Sequence, residues 1–177
     1  MIDGDAPVRR VVLVGFMASG KTVVGAILAR RLGWAHVDLD RVIEARAGRG
    51  VAEIFAAEGE AAFRRLEAEA TAEVAAREGV VLTPGGGWVT NPALLAALGP
   101  GTLSVWLQVT PEEAVLRASA RPGERPLLAG PDPLAAARRL LEARAAHYAR
   151  AAAAVDTGGR APEQVADEIA RLVLGGD

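Results

Sequence analysis

The segment Gly15-Phe16-Met17-Ala18-Ser19-Gly20-Lys21-Thr22 sets two glycines, a lysine and a hydroxyl at the spacing G-x-x-x-x-G-K-[ST]. Glycines let a backbone curl until its N–H groups point at a phosphate, and a helix opening at the lysine adds the positive end of its dipole. Lys21 is a compact charge able to reach the β- and γ-phosphates of a nucleotide, and Thr22 offers a hydroxyl to Mg²⁺. Of the 20 basic residues, Lys21 alone is lysine and all the others are arginine. The planar, bulkier guanidinium is not interchangeable with an ammonium at such a site. The motif points to a bound nucleoside triphosphate and leaves the reaction open.

Other residues could supply that reaction. Asp38 and Asp40 stand two apart at the end of "HVDLD". Such acids serve as helix N-caps, and Asp40 fits a helix starting at Arg41; beside a phosphate site they can also serve a metal and an acceptor hydroxyl. Arg64 lies three residues before Glu67, which shares a helical stripe with Phe63, Ala70 and Val74. That spacing fits an ordinary surface ion pair, or a glutamate orienting an arginine for a ligand. Arg144 falls on an apolar stripe with Leu140, Leu141 and Tyr148, where an arginine either snorkels to an edge or meets a buried anion. Gly85, Gly86 and Gly87 follow an apolar run and allow close approach of a ligand to the backbone.

Elements of two kinds must position these groups. "VVLV", "WAHVD", "GVVLT", "TLSVWLQV" and "AVDT" read as short strands. Helical spacing occupies residues 21–32, 40–47, 51–58, 60–76, 91–98, 111–120, 134–153 and 162–174. Alternation of this kind predicts a three-layer α/β/α fold around a central parallel five-stranded sheet, with ligands beyond the C-terminal strand ends. Gly15, Asp38 and Gly85 follow three such ends. The 177 residues are read as a single domain, with acceptor-binding helices at about 40–70 and a mobile lid at about 118–133, where proline and glycine accumulate.

Composition excludes several classes. There is no cysteine and only two histidines, which leaves no thiolate chemistry and no histidine-rich metal site. A net charge of −2 with scattered arginines gives no footprint for nucleic acid. No apolar run reaches membrane length and the N-terminus does not read as a signal peptide, so a cytoplasmic protein is expected. A guanine-specific switch needs an N-K-x-D motif, and no second lysine exists to form it. Motor and transporter ATPases normally carry an apolar strand ending in Asp-Glu, whereas "TLSVWLQVT" ends without an acid. Acids placed directly after the first helix suit small-molecule kinases.

Taken together, "GFMASGKT", "HVDLD", "IFAAEGEAAFRRLE", "PGGGWV", "ERPLLAG", "LLEARAAHYARAA" and "VDTGGRAP" resemble the shikimate kinase family over nearly the whole chain. "FRRLE" followed by a triple glycine separates this pattern from gluconate kinase, the alternative. The resemblance implies transfer of the ATP γ-phosphoryl group to the 3-hydroxyl of shikimate in aromatic amino-acid biosynthesis, by a monomer. It implies that Gly15, Ala18, Ser19, Gly20, Lys21, Thr22 and Val23 hold ATP, with Arg117, Arg160 and Pro162 bordering the adenine. Thr22 and Asp38 would serve Mg²⁺, Asp38 through water. Asp40 would be the base and, with Gly85, Gly86 and Gly87, would contact shikimate; Arg64 and Arg144 would grip its carboxylate, and Glu67 would orient Arg64. Arg125 would swing in from the lid to meet the transferring phosphate of ATP. Trp88 departs from the family, which more often has a small residue after the glycines; a large aromatic there is expected to pack in the core.

Overall fold

The computed structural model describes residues 7–120 and 131–175. Five strands, β1 (Arg10–Gly15), β2 (Ala35–Asp38), β3 (Val80–Thr83), β4 (Thr102–Gln108) and β5 (Ala153–Asp156), form one parallel sheet in the order β2-β3-β1-β4-β5. The helices are α1 (Lys21–Leu32), α2 (Leu39–Ala47), α3 (Val51–Ala75), α4 (Pro92–Ala97), α5 (Pro111–Ser119), α6 (Pro133–Tyr148) and α7 (Pro162–Leu174). The three-layer arrangement expected from the alternating pattern is the one observed.

Side chains leave a strand on alternate faces, and β1 shows the result. Val11 and Leu13 pack with Val24 and Leu28 of α1 and Ile169 of α7, whereas Val12 and Val14 pack on the opposite face with Phe63 and Val74 of α3. Both faces are buried, which is why the strand reads as an unbroken apolar run. α1 packs closely on the sheet at Gly25, where a Cβ would lie 2.5 Å from Thr83 Cγ2.

Because the strands are parallel, their C-terminal ends share one edge of the sheet. The chain builds outward to β2, returns through β3, and then crosses β1 to add β4 and β5. The loop after β1 sits at this reversal, where ligands of open parallel sheets bind. At the opposite edge the buried Arg10 guanidinium donates to Ala75 O, Arg77 O and Pro100 O at 3.1, 2.8 and 3.0 Å, tying the end of α3 to the entry of β4.

The end of α6 and the cap of α2 differ from the sequence reading. α6 stops at Tyr148, and Ala153 belongs to β5 rather than to the helix. Tyr148 is fully buried and holds the last turn in place, while the alanines after it carry no glycine or proline to announce the stop. In α2 the N-cap is Asp38, whose Oδ1 accepts from Arg41 N at 3.3 Å; Asp40 instead lies inside the first turn. The expected break between residues 58 and 60 is present as Gly59, with φ 81° inside α3. Among the described residues no helix is long and apolar enough to cross a membrane.

Candidate active site

The loop between β1 and α1 is built around its glycines. A Cβ on Gly15 would lie 2.7 Å from Leu107 O and 2.9 Å from Ser19 Oγ, so no larger residue fits. Gly20 reaches φ 93° as the N-cap of α1. Ala18 adopts φ 60°, alone among the described non-glycine residues, a conformation that costs about 1–2 kcal/mol. Lys21 Nζ donates to Gly15 O at 2.8 Å and to Phe16 O at 3.0 Å, so its charge is held over the loop. The Ser19 hydroxyl is buried and has no hydrogen-bond partner among the described residues. A buried polar atom left over inside a loop of convergent N–H groups fits a phosphate oxygen.

Thr22 Oγ1 stands 3.1 Å from Asp38 Oδ2. Among the described residues no cluster of three His, Cys, Asp or Glu could cage a metal ion. Two hard oxygens beside a phosphate loop fit Mg²⁺, which keeps several waters and completes its shell with substrate oxygens. His36 shares a hydrogen bond of 2.9 Å with Thr83 Oγ1, and burial pushes its imidazole pKa down against the pull of Asp38. A groove of about 610 Å³ runs beyond the β2 edge from Thr22 and Asp38 towards Arg41, Arg46 and Arg77. It contains none of Asp40, Arg64 or Arg144, which gather instead at the triple glycine.

There the triple glycine meets three predicted side chains, one apiece. A Cβ on Gly85 would be 3.1 Å from both carboxylate oxygens of Asp40. One on Gly86 would be 3.5 Å from Arg144 Nη1 and 3.5 Å from Gly15 O. One on Gly87 would be 3.1 Å from Arg64 Nη2. The glycines thus bring the base candidate, both arginines and the phosphate loop around one space.

Arg64 Nη1 donates to Glu67 at 2.6 Å, and Nη2 donates to Glu60 at 2.9 Å. Burial opposes the Arg64 charge, but its hydrogen bonds to Glu67 and then to Glu60 outweigh it and raise its pKa. Glu67 is 1 % exposed; burial pushes its carboxyl pKa up, partly offset by Arg64. The stripe of Phe63, Glu67, Ala70 and Val74 is buried throughout, as its spacing predicts. Trp88 is fully buried and packs with Phe63, Val74 and Leu98, so its ring lies in the core.

On the far side of the loop Arg117 acts as a brace. Nη1 donates to Ala18 O at 3.3 Å and to Thr157 Oγ1 at 3.2 Å; Nη2 donates to Thr157 O at 2.6 Å and to Glu113 at 2.5 Å. Arg160 donates to Asp156 O at 2.9 Å and pairs with Glu168 at 2.7 Å, and Pro162 opens α7. Val23 is exposed on the first turn of α1. Arg125 lies outside the described residues. Thr157 and Glu113 escaped the sequence reading, although Thr157 follows a strand end in "VDTGGR" much as Gly15 and Gly85 follow theirs.

Comparison with known proteins points to one family. The family model described as Shikimate kinase matches residues 17–173. A shikimate kinase of Symbiobacterium thermophilum is 48% identical over 161 residues, covering 90% of this chain and 92% of the relative. A solved shikimate kinase from Acinetobacter baumannii in complex with shikimate superposes with a TM-score of 0.87 at 34% identity, covering 95% of this chain and 94% of that one. A gluconokinase from Sinorhizobium meliloti 1021 covers 95% of both chains at a TM-score of 0.61 and 19% identity, a likeness of fold alone.

Proposed function

The chain belongs to the shikimate kinase family, and on that premise we propose that it transfers the γ-phosphoryl group of ATP to the 3-hydroxyl of shikimate, giving shikimate 3-phosphate and ADP. The observation that carries this reading is the glycine loop, whose three residues face Asp40, Arg144 and Arg64 in turn, while a Cβ on Gly86 would also meet Gly15 O of the phosphate loop. Such a space suits an acceptor with a carboxylate at one end and hydroxyls at the other, set against a triphosphate.

In this reading Arg64 and Arg144 grip the carboxylate, Glu67 keeps Arg64 aimed, and the glycines let the ring lie against the backbone. That grip orients the acceptor hydroxyl towards the γ-phosphorus, and orientation is a large part of phosphoryl-transfer catalysis. The acceptor oxygen bonds to phosphorus as the bond to the β–γ bridging oxygen breaks, and Asp40 takes the hydroxyl proton. Lys21 and the loop amides stabilise the negative charge on the phosphates. Mg²⁺, held by Thr22 and through water by Asp38, would neutralise phosphate charge when bound. Arg117, Arg160 and Pro162 flank the base, and Arg125 is assigned to the transferring phosphate. The reading includes a cytoplasmic monomer with no nucleic-acid or membrane partner.

The test is an ATP-dependent assay comparing shikimate, gluconate and nucleoside monophosphates, with shikimate binding by calorimetry in Arg64→Ala, Arg144→Ala and the double variant. Shikimate is expected to be the preferred acceptor. Each single loss should weaken shikimate binding roughly ten- to a hundredfold, and the double should fall short of the product. Preference for gluconate, or normal shikimate binding by Arg144→Ala, would overturn the assignment.

A further inference from the structure

The glycine loop has no side chains to fix it, yet both flanks are anchored. On the α6 side the fully buried Tyr148 donates from its hydroxyl to Gly86 O at 2.9 Å and stacks on Trp106, ring centroids 5.8 Å apart. On the α3 side Trp88, next after Gly87, donates from Nε1 to Thr71 Oγ1 at 3.0 Å. Thr71 in turn donates to Glu67 O at 2.7 Å.

The anchors share helices with the arginines. Tyr148 lies one turn beyond Arg144, and Thr71 lies one turn beyond Glu67 and about two beyond Arg64. Each helix that presents an arginine to the site therefore also presents a hydroxyl that ties the loop between them. We propose that Trp88 and Thr71, opposed by Tyr148, are positioning residues that fix the spacing of Arg64 and Arg144 across the glycine loop and so set the acceptor's carboxylate subsite. The proposal deepens the functional reading above and rests on it for the identity of the acceptor.

Apolar burial alone does not account for Trp88. Any large ring could fill its place among Phe63, Val74 and Leu98, but only an indole also carries an N–H that must find a buried acceptor. Thr71 supplies that acceptor and is itself fully buried. The clearances make the spacing matter. With a Cβ on Gly87 only 3.1 Å from Arg64 Nη2, a shift of the loop by a few tenths of an ångström changes where the guanidinium can rest.

The experiment uses Trp88→Phe, which keeps an aromatic ring and deletes the N–H, and Thr71→Val, which keeps the shape and deletes the hydroxyl. Thr71→Ser is the conservative control. Each of the first two is expected to raise KM for shikimate roughly three- to tenfold, with kcat and KM for ATP within about twofold, and their double to be little worse than either. Thr71→Ser should stay near wild type. A lower Tm with unchanged KM for shikimate overturns the proposal, because it makes the pair a packing contact only. If Trp88→Phe does not fold, the Thr71→Val and Thr71→Ser comparison decides. If the wild type phosphorylates no carboxylated acceptor, the functional reading falls by itself. Amide hydrogen exchange at Gly85, Gly86 and Gly87 then decides: faster exchange in Thr71→Val than in Thr71→Ser upholds the anchoring, and equal exchange overturns it.

Discussion

Glu67 Oε2 accepts a 2.6 Å hydrogen bond from Arg64 Nη1 at a side chain only 1 % exposed. Burial raises the carboxyl pKa above the ordinary 4.5, with Arg64 pulling it back. Above its folded pKa the ionised Glu67 aims Arg64; below it the ionic hold is lost. KM for shikimate should therefore rise on the acid side, beginning above pH 4.5, and Glu67→Gln should have a raised KM already at neutral pH and lack that limb. The stability effect has the opposite sense. A raised folded pKa contributes stability that is present below the unfolded value and lost as pH rises through the folded one, so Glu67→Gln should flatten that loss. Steady-state KM and Tm measured across pH check both halves.

Lys21→Arg keeps the charge and changes its shape where Nζ sits within 3.0 Å of two loop carbonyls. Turnover is expected to fall about a hundredfold or more, with Tm nearly unchanged. Near-wild-type kcat in a phosphorylation assay would show that the loop tolerates the guanidinium.

The glycine loop makes a graded prediction. Gly85, Gly86 and Gly87 are absent from the described positive-φ residues, so alanine is admitted by the backbone and the cost falls on the facing side chain. Gly85→Ala crowds Asp40 and should lower kcat roughly tenfold, whereas Gly87→Ala crowds Arg64 and should mainly raise KM for shikimate. Gly86→Ala, whose Cβ would rest at ordinary contact distance, 3.5 Å from both Arg144 Nη1 and Gly15 O, should be the mildest. Kinetics of the three variants with KM for ATP as internal reference test the order.

Arg117→Ala removes the brace between Ala18 O and Thr157. KM for ATP should rise about tenfold while KM for shikimate moves less than about twofold, because the brace joins the two nucleotide-side loops and not the glycine loop. A change confined to shikimate would reassign the residue.

Local chemistry was easy to read in the sequence and distant pairing was not. The phosphate loop announced itself because glycine, lysine and threonine are needed at fixed offsets, and α1 and α7 span the residues that their helical spacing predicts. Asp38 reads in the sequence as a candidate metal-site acid, and its role as the cap of α2 is not legible there, since either acid of "HVDLD" could serve and the backbone chooses. The end of α6 was hidden by alanines that suit helix and strand alike. That each glycine of the triple would face a different partner could not be read, because Asp40, Arg64 and Arg144 come from three helices and the sheet order brings them together. The Trp88 to Thr71 bond is of the same kind; the sequence suggested burial, and only the packing supplies the acceptor.

A single ε-amine, held at Gly15 O and Phe16 O, also gives the molecule an unusual surface towards electrophiles. Guanidinium groups stay protonated and unreactive at neutral pH, so an acylating reagent finds one side-chain amine, and it is the one at the phosphate loop. Chemical labelling of this chain is thereby a built-in occupancy gauge: one mass increment on residue 21, with the α-amino group as reference, reports whether that loop is covered.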